Sequence, residues 1–569
     1  MPCPFCELYR FENFITESPS LEDLTQRYNV TRLTTSPADD RNPVWSPDGD
    51  KIIFRSDNYI SIFDLDRSST KRLAEGKNFI LSPDGKKLLF QREIYVQGFL
   101  IDEYIYVIDS DGRNLRKLSN GTKPAWRAEG NEIIYLKVEK ERNYLFSIDK
   151  NLKEDLFQGV FTERLRNSFE VNGFILPKSD PPSPYAPINI NVQKVGKEKW
   201  VITAYPTEKE GRIASFIIEE EKEELKVYSE KEGALTYYAC IMDIGSSNHR
   251  RIAEHTFTIN QTPCLMREGV LYGGAKTQII FYSWSTDGTK IVYYVQEPTG
   301  YGWHMFDGSY KRVKEIEAPD VFDISRKWPR ESYDAEYLRK WGIWDVTKNE
   351  MKEKLLGYLF LAVPLDEEVV WSPDGKKVAL PVAEYTGNRS EEHIWIIDTE
   401  KWEARKLTSF VGSNAWPKWS PNGKKLIYWQ SPSNPRIYEH YNLDICRVEI
   451  ENGTVERLTD SPMHEEGKWS PEGRRIAYIS FHQGCLGVFG ERKSHEAKSE
   501  IWVMNADGTD KKQLLSIPCN NGLIMDMEWS PDGSKIAFVW QPNRDEFKRD
   551  IYVINVPTMD EVVKNENKN

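Results

Sequence analysis

Long apolar runs are missing from this chain of 569 residues. No stretch approaches the roughly 18 consecutive apolar residues of a membrane-crossing helix, so membrane insertion is not expected. The first residues, "MPCPFCELYRFENFITESPS", lack a basic region followed by an apolar one. A secretory signal is therefore not expected, and a cytoplasmic location is, with a periplasmic or extracellular one if a signal was removed. Cysteine is scarce, with seven residues scattered from Cys3 to Cys519. An odd, sparse set in a chain this long does not read as a disulfide framework. An excess of positive charge is also absent. The net charge is −12 with both signs interspersed, which argues against a nucleic-acid partner held through phosphates.

Several catalytic signatures are missing too. No G-x-S-x-G occurs, which removes the nucleophile elbow of one large hydrolase class. No H-E-x-x-H occurs, since "HEEGK" (464–468) and "HEAKS" (495–499) lack the second histidine. "GVLYGGAKT" (269–277) misses the P-loop pattern by one residue and precedes a strand-like segment where a helix is required. Cys3-Pro4-Phe5-Cys6 has no second C-x-x-C to complete a zinc ribbon.

What the chain has is repetition. "WSPDGDKIIF" (45–54) returns as "LSPDGKKLLF" from Leu81, "WRAEGNEIIY" from Trp126 and "WSTDGTKIVY" from Trp284. It returns again from Trp371, Trp419, Trp469 and Trp529. In Ser46-Pro47-Asp48-Gly49, Pro suits the second position of a type I turn and Gly the positive φ that follows. Such a turn joins two antiparallel strands. A second element lies downstream, as in "YISIFDLDRSSTKRLAE" (59–75) and "HIWIIDTEKWEARKLTS" (393–409). It reads as a strand, a polar turn and a short strand ending in residues like "RLT". One unit is thus four antiparallel strands in about 40–50 residues, the pattern of a β-propeller blade.

The anchor at Trp126 and the one at Trp284 stand far apart. "LTYYACIMDIGSSNHRRIAEH" (235–255) repeats the second-half pattern inside that gap. We read one degenerate unit over about 186–254, with an inserted charged hairpin around "IIEEEKEELKVY" (217–228). That makes nine units, or eight if the segment elaborates a neighbour. The expected fold is all-β: a single large β-propeller of about eight or nine four-stranded blades. Its expected domains are an extension with a short helix (1–28), the propeller (29–557) and a disordered tail (558–569). A divergent segment is expected at about 160–283 and a long insertion at about 295–340. "NVTRLT" (29–34) has no preceding unit, and the last unit, ending "DIYVINVP" (550–557), lacks its "RLT" strand. Val30–Thr34 is expected to pair antiparallel with Asp550–Val556 and complete the last blade.

The "WSPDG…IWVMNADG…RLT" unit resembles the PD40 (WD40-like) repeat of TolB-type propellers, over about residues 31–557. The resemblance implies a propeller that acts as an interaction platform. It is incomplete, because no N-terminal domain or export signal of the TolB kind is seen.

The tryptophans are expected at seams between blades, so function is sought where the repeats differ. These places are the loops opposite the "SPDG" turns: "TSPADDRNPV" (35–44), "SFVGSNAWPK" (409–418) and "DSPMHEEGK" (460–468), with "WQSPSNPRIYEHY" (429–441) and the loop holding His482 and His495. Candidate ligand or partner residues are His464, Glu465, Glu466, His482, His440, Trp416, Asp39, Asp40 and Arg41. The expected function is non-enzymatic, a scaffold for a protein partner with no cofactor. The alternative is a metal-dependent lyase or hydrolase acting on a carbohydrate or ester at the channel mouth. His464, His482 and Glu465 would then be candidate ligands for a divalent metal.

Overall fold

The computed structural model describes residues 26–96, 99–149, 188–194, 199–206, 214–221, 224–246, 248–258, 265–267, 270–272, 278–306, 312–316, 331–355, 369–385, 390–410, 412–431, 443–460, 464–481, 498–518, 522–541 and 548–557. The expected tail and nearly all of the expected N-terminal helix lie outside them. The chain divides into two compact units, residues 1–92, 106–117 and 361–569, and residues 93–105 and 118–360.

In chain order, β1 (Val30–Arg32) comes first, followed by β2 (Asp40–Trp45), β3 (Lys51–Ser56), β4 (Tyr59–Asp64) and β5 (Ser69–Glu75). Next are β6 (Lys77–Leu81), β7 (Lys87–Val96), β8 (Phe99–Asp109) and β9 (Arg116–Asn120). The second unit holds β10 (Thr122–Trp126), β11 (Glu132–Asp149), β12 (Ile188–Lys194), β13 (Lys199–Pro206), β14 (Ala214–Glu221), β15 (Glu224–Asp243) and β16 (His249–Thr258). It continues with β17 (Leu265–Arg267), β18 (Val270–Tyr272), β19 (Gln278–Trp284), β20 (Lys290–Phe306), β21 (Arg312–Ile316), β22 (Glu331–Asp345) and β23 (Glu350–Leu355). The first unit resumes with β24 (Val370–Trp371), β25 (Lys377–Tyr385), β26 (Ser390–Asp398) and β27 (Glu403–Lys406). Then come β28 (Ser413–Trp419), β29 (Lys425–Ser431), β30 (Asp444–Glu449), β31 (Val455–Arg457), β32 (His464–Trp469), β33 (Arg475–Phe481), β34 (Lys498–Asn505) and β35 (Lys512–Pro518). The last are β36 (Leu523–Trp529), β37 (Lys535–Gln541) and β38 (Asp550–Asn555).

The sheets follow the repeat. β2–β5, β6–β9 and β32–β35 are four-stranded meanders in sequence order. β24–β27 and β28–β31 form two more, touching through one parallel bridge between Glu392 and Ser413. The last sheet runs β36-β37-β38-β1. The expected pairing is met: Val30, Thr31 and Arg32 lie opposite Ile554, Val553 and Tyr552 in antiparallel register.

In the second unit, β19, β20, β22 and β23 form a meander, and β21 pairs with the far end of β20. Within the insertion expected at 295–340, the described residues lengthen β20 and β22, paired from Lys290–Asp345 to Met305–Glu331. The degenerate unit expected at 186–254 is not a separate sheet. β10, β11, β15 and β16 make one four-stranded set, and β12–β14 extend it beside the far end of β15. The charged hairpin is present, with Ile217 opposite Tyr228 and Glu221 opposite Glu224.

Middle strands are buried on both faces. Ile52, Ile53 and Phe54 are consecutive and all below 2% exposed, as are Leu88, Leu89 and Phe90. A strand that alternates in direction can bury successive residues only when other sheets cover both its faces, which explains the unbroken apolar runs.

The turns work as the sequence requires. Ser46 N donates to Lys51 O (2.9 Å), and Lys51 N donates to Ser46 Oγ (2.9 Å). Gly85 has φ +72°, and a Cβ there would stand 2.7 Å from Cδ of Pro47 in the preceding turn. Turn glycine and turn proline thus pack between sheets. Gly85→Ala is expected to cost about 1–2 kcal/mol from the left-handed backbone, and more once the clash with Pro47 is added. Thermal unfolding checks this, and an unchanged midpoint would contradict it.

Candidate functional site

The tryptophans define the frame that holds the loops. Trp419 Nε1 donates to Val370 O (3.1 Å), Trp469 Nε1 to Lys418 O (3.2 Å) and Trp529 Nε1 to Lys468 O (3.2 Å). In each case the acceptor lies in the first strand of the preceding sheet, next to that sheet's own tryptophan. Trp45 does the same to Glu528 O (3.1 Å) of the last sheet. In the second unit, Trp284 Nε1 reaches Lys123 O (2.7 Å). Trp45, Trp284 and Trp529 are buried, Trp419 and Trp469 partly buried, and each of the five indoles links one first strand to another.

A bulge follows from that frame. Three residues before the tryptophan position the backbone turns left-handed, at Asn42 (φ 52°), Asn78 (φ 50°), Lys123 (φ 49°), Trp416 (φ 56°) and Asp526 (φ 37°). The register shifts there, between Arg41 and Val44 and between Ala415 and Lys418. Asparagine and aspartate tolerate this region, whereas tryptophan at +56° is an outlier. Trp416 packs on Trp429, with ring centroids 5.5 Å apart. Phe410, in the same loop, is 43% exposed.

At the same end of the sheets, the "RLT" strand meets the start of the third strand. Ile551 N donates to Thr34 Oγ1 (2.9 Å), Ile445 N to Thr459 Oγ1 (2.8 Å) and Ile394 N to Thr408 Oγ1 (3.0 Å). The arginine of the tripeptide pairs with the acid that opens the third strand, Arg32 with Asp550 (2.6 Å) and Arg457 with Asp444 (2.8 Å). Burial raises the Asp550 carboxyl above its ordinary pKa, opposed by Arg32. It does the same to Asp444, opposed by Arg457.

Of the candidate residues, Asp39, Asp40 and Arg41 come together where β2 meets the last sheet. Arg41 Nε donates to Asp39 Oδ2 (2.7 Å), and Arg549 Nε stands 3.8 Å from Asp39 Oδ1. Asp40 is 1% exposed, so its carboxylate is not offered to solvent. Burial pushes it up to about 6, helped by the charges of Asp550 and Asp57 and opposed by Ser56 and Thr34. Even so, neither carboxylate oxygen has a hydrogen bond of normal geometry.

His464, Glu465 and Glu466 lie on β32, where the backbone alone is described. His464 faces Ser480 across the ladder as Asp40 faces Ser56 and Asn414 faces Gln430. Asp40, Asn414 and His464 thus hold one position in three different sheets. His482 and His440 lie outside the described residues. Among the described residues no group of three or more His, Cys, Asp or Glu is placed to hold a metal ion. Cys240 and Cys446 are buried and unpaired, and burial pushes the Cys446 thiol up to about 12. That thiol stays protonated at neutral pH and is a poor nucleophile.

Sequence reading missed Arg32, Thr34, Asp550 and Arg549. The signal was present as "RLT" paired at a distance with "DI" in two sheets, but it becomes legible only once the strand pairing is known.

No family model matches the chain. The uncharacterized protein Atu1656 of Agrobacterium fabrum is 29% identical over 174 residues, 30% of this chain and 53% of that one. The uncharacterized peptidase YuxL of Bacillus subtilis is 24% identical over 168 residues, 30% of this chain and 20% of that one. The chain therefore spans about half the length of the first curated relative and a fifth of the second. Among solved structures, an oligogalacturonate lyase in complex with manganese is 10% identical, with a TM-score of 0.38 and 93% of each chain covered. TolB from Acinetobacter baumannii is 12% identical, with a TM-score of 0.27, 84% of this chain covered and 78% of that one. The four-stranded antiparallel sets, the indoles that link five of the first strands to another first strand, and the return of β1 to the last set identify the fold of this chain as a β-propeller.

Proposed function

We propose that this propeller is a non-enzymatic platform that binds another protein at the loop end opposite the "SPDG" turns. The observation that carries this reading is the loop from Phe410 to Trp416. A large aromatic side chain is left 43% exposed at Phe410, and further along the same segment Trp416 sits on a left-handed backbone. Folding stability alone gives no reason to leave Phe410 exposed, and asparagine serves at Asn42 and Asn78 the bulge that Trp416 fills here. Exposed aromatics held on rigid backbone are favoured anchors at protein interfaces.

The test is capture of a partner from native extract by the full-length protein. Phe410→Ser and Trp416→Asn are expected to lose the partner by at least tenfold while both variants still unfold cooperatively. Undiminished capture by both variants would end this reading. Stoichiometric metal in the purified protein, lost in His464→Ala, would favour the metal-dependent lyase or hydrolase instead.

A further inference from the structure

The seam between β2 and the last sheet holds a buried acid that no cation among the described residues engages. Asp40 N donates to Arg549 O (3.0 Å), so the first residue of β2 is tied to the residue preceding β38. The cations around it among the described residues are all committed elsewhere. On β1, Arg32 is bonded to Asp550 (2.6 Å) and through Nε to Thr34 O (2.9 Å). On β2 itself, Arg41 is bonded to Asp39. On β3, Arg55 Nε donates to Asp57 O (2.7 Å). Beside β38, Arg549 reaches Asp39 and Gln541, and Lys548 acts on Asp550. On β36 the charged residues are Asp526 and Glu528, the latter held by Lys468 (2.8 Å). Asp550 is itself fully buried, and its Oδ1 has no hydrogen-bond partner.

The equivalent position in another sheet shows what a neutral group does there. Asn414 is fully buried and well bonded, with Nδ2 donating to Glu392 O (2.7 Å) and Phe410 O (3.1 Å) and Oδ1 accepting from Gln430 (3.3 Å). At Asp40 the same frame surrounds a group that changes charge.

We infer that Asp40 and Asp550 form a pH-sensitive latch on the closing strand, tight while Asp40 carries its proton and loosened when it ionises beside the Asp550 carboxylate. The direction follows from linkage. A carboxyl held at about 6 in the fold binds a proton there over a pH range in which the opened state does not, so the closed seam loses stability as pH rises from about 4 through 6. The device goes beyond the partner-binding reading and stands or falls separately from it.

Amide hydrogen exchange of β1 and β38 in the full chain tests the latch. After correction for the intrinsic pH dependence of exchange, opening is expected to rise about tenfold between pH 5 and pH 7. Asp40→Asn is expected to abolish that rise, and the β28–β31 sheet, which has Asn414 in place of Asp40 and only Asp444 as a buried acid, is expected to show a smaller one. Asp40→Ser is the second variant, for use if the first does not fold. A flat profile in the unaltered protein, or a rise that persists in the neutral variant, would overturn the inference.

Discussion

Removal of residues 1–35 will leave the last sheet with three strands, and the protein will aggregate or lose most of its stability. The deleted segment supplies more than one ladder. Val30 and Leu33 are 8% exposed and pack into the clusters around Trp529 and Trp45 respectively. Burying two such side chains contributes roughly 2 kcal/mol each. Leu33 N donates to Ile551 O (2.8 Å), and Thr34 Oγ1 satisfies the Ile551 amide. Asp550, fully buried, would lose Arg32. Losing a charged hydrogen bond of this kind costs about 1.5–3 kcal/mol, with water at the opened edge taking up the remainder. Together these amount to about half or more of the net stability of about 5–15 kcal/mol typical of a domain. The exposed edge would be "DIYVIN", apolar and of high β-propensity, an invitation to intermolecular pairing. Size-exclusion chromatography and thermal unfolding decide it. A truncated chain that stays monomeric with an unchanged midpoint would show that β1 is dispensable. Rescue by a peptide of residues 26–36 added in trans would confirm that the missing strand, and not the wider deletion, is the cause.

That closure was legible in the sequence because strand segments are conserved in kind from unit to unit. An "RLT" with no unit before it and a last unit without one leave a single solution. The turns were legible for the same reason, since Pro, Asp and Gly each answer a specific dihedral demand. The region from Trp126 to Trp284 was harder. Its second half, "LTYYACIMDIG" (235–245), belongs to the sheet that opens at Thr122, but β12–β14 intervene in sequence. Periodicity gives the strands and not their partners, so an interrupted unit reads as two. The bulge three residues before each tryptophan was not legible at all. Asn42 and Asn78 hint at it, but Lys123 and Trp416 carry no such preference.

The loop end opposite the turns was placed from topology, and most of the chemistry there was not. Asp40 reads as a surface-loop acid because its neighbours "ADDRN" are polar. Its burial depends on β38 and on Thr34, which reach it from opposite ends of the chain. Long-range packing of this kind leaves no local trace. The tryptophans show the reverse case. Their repetition marks them as structural, yet the sequence does not say why phenylalanine would not do.

The indole N–H supplies that reason, and Trp529 is the place to test it. Trp529 is 5% exposed and packs among Ile501, Val503 and Ile536. Arg475 lies over its ring, 5.1 Å from the centroid, and donates to Gly533 O (2.7 Å) in the adjacent turn. Trp529→Ala removes the largest side chain at this seam and is expected to destabilise the fold by about 3–5 kcal/mol. Trp529→Phe keeps most of the apolar contact and loses the donor to Lys468 O. A single hydrogen bond to a backbone carbonyl contributes about 0.5–1.5 kcal/mol net, with a further cost if the carbonyl stays dry. The phenylalanine variant is therefore expected to fall between the native protein and the alanine variant, about 1–3 kcal/mol below the native. Loss of the link between the two first strands should also appear as faster amide exchange in β36 than in the β28–β31 sheet. Denaturant unfolding of the three proteins separates the two contributions. Equal stability of the phenylalanine variant and the native protein would mean that the seam uses tryptophan for bulk alone. Equal stability of the alanine variant would mean that the side chain is not packed at the seam.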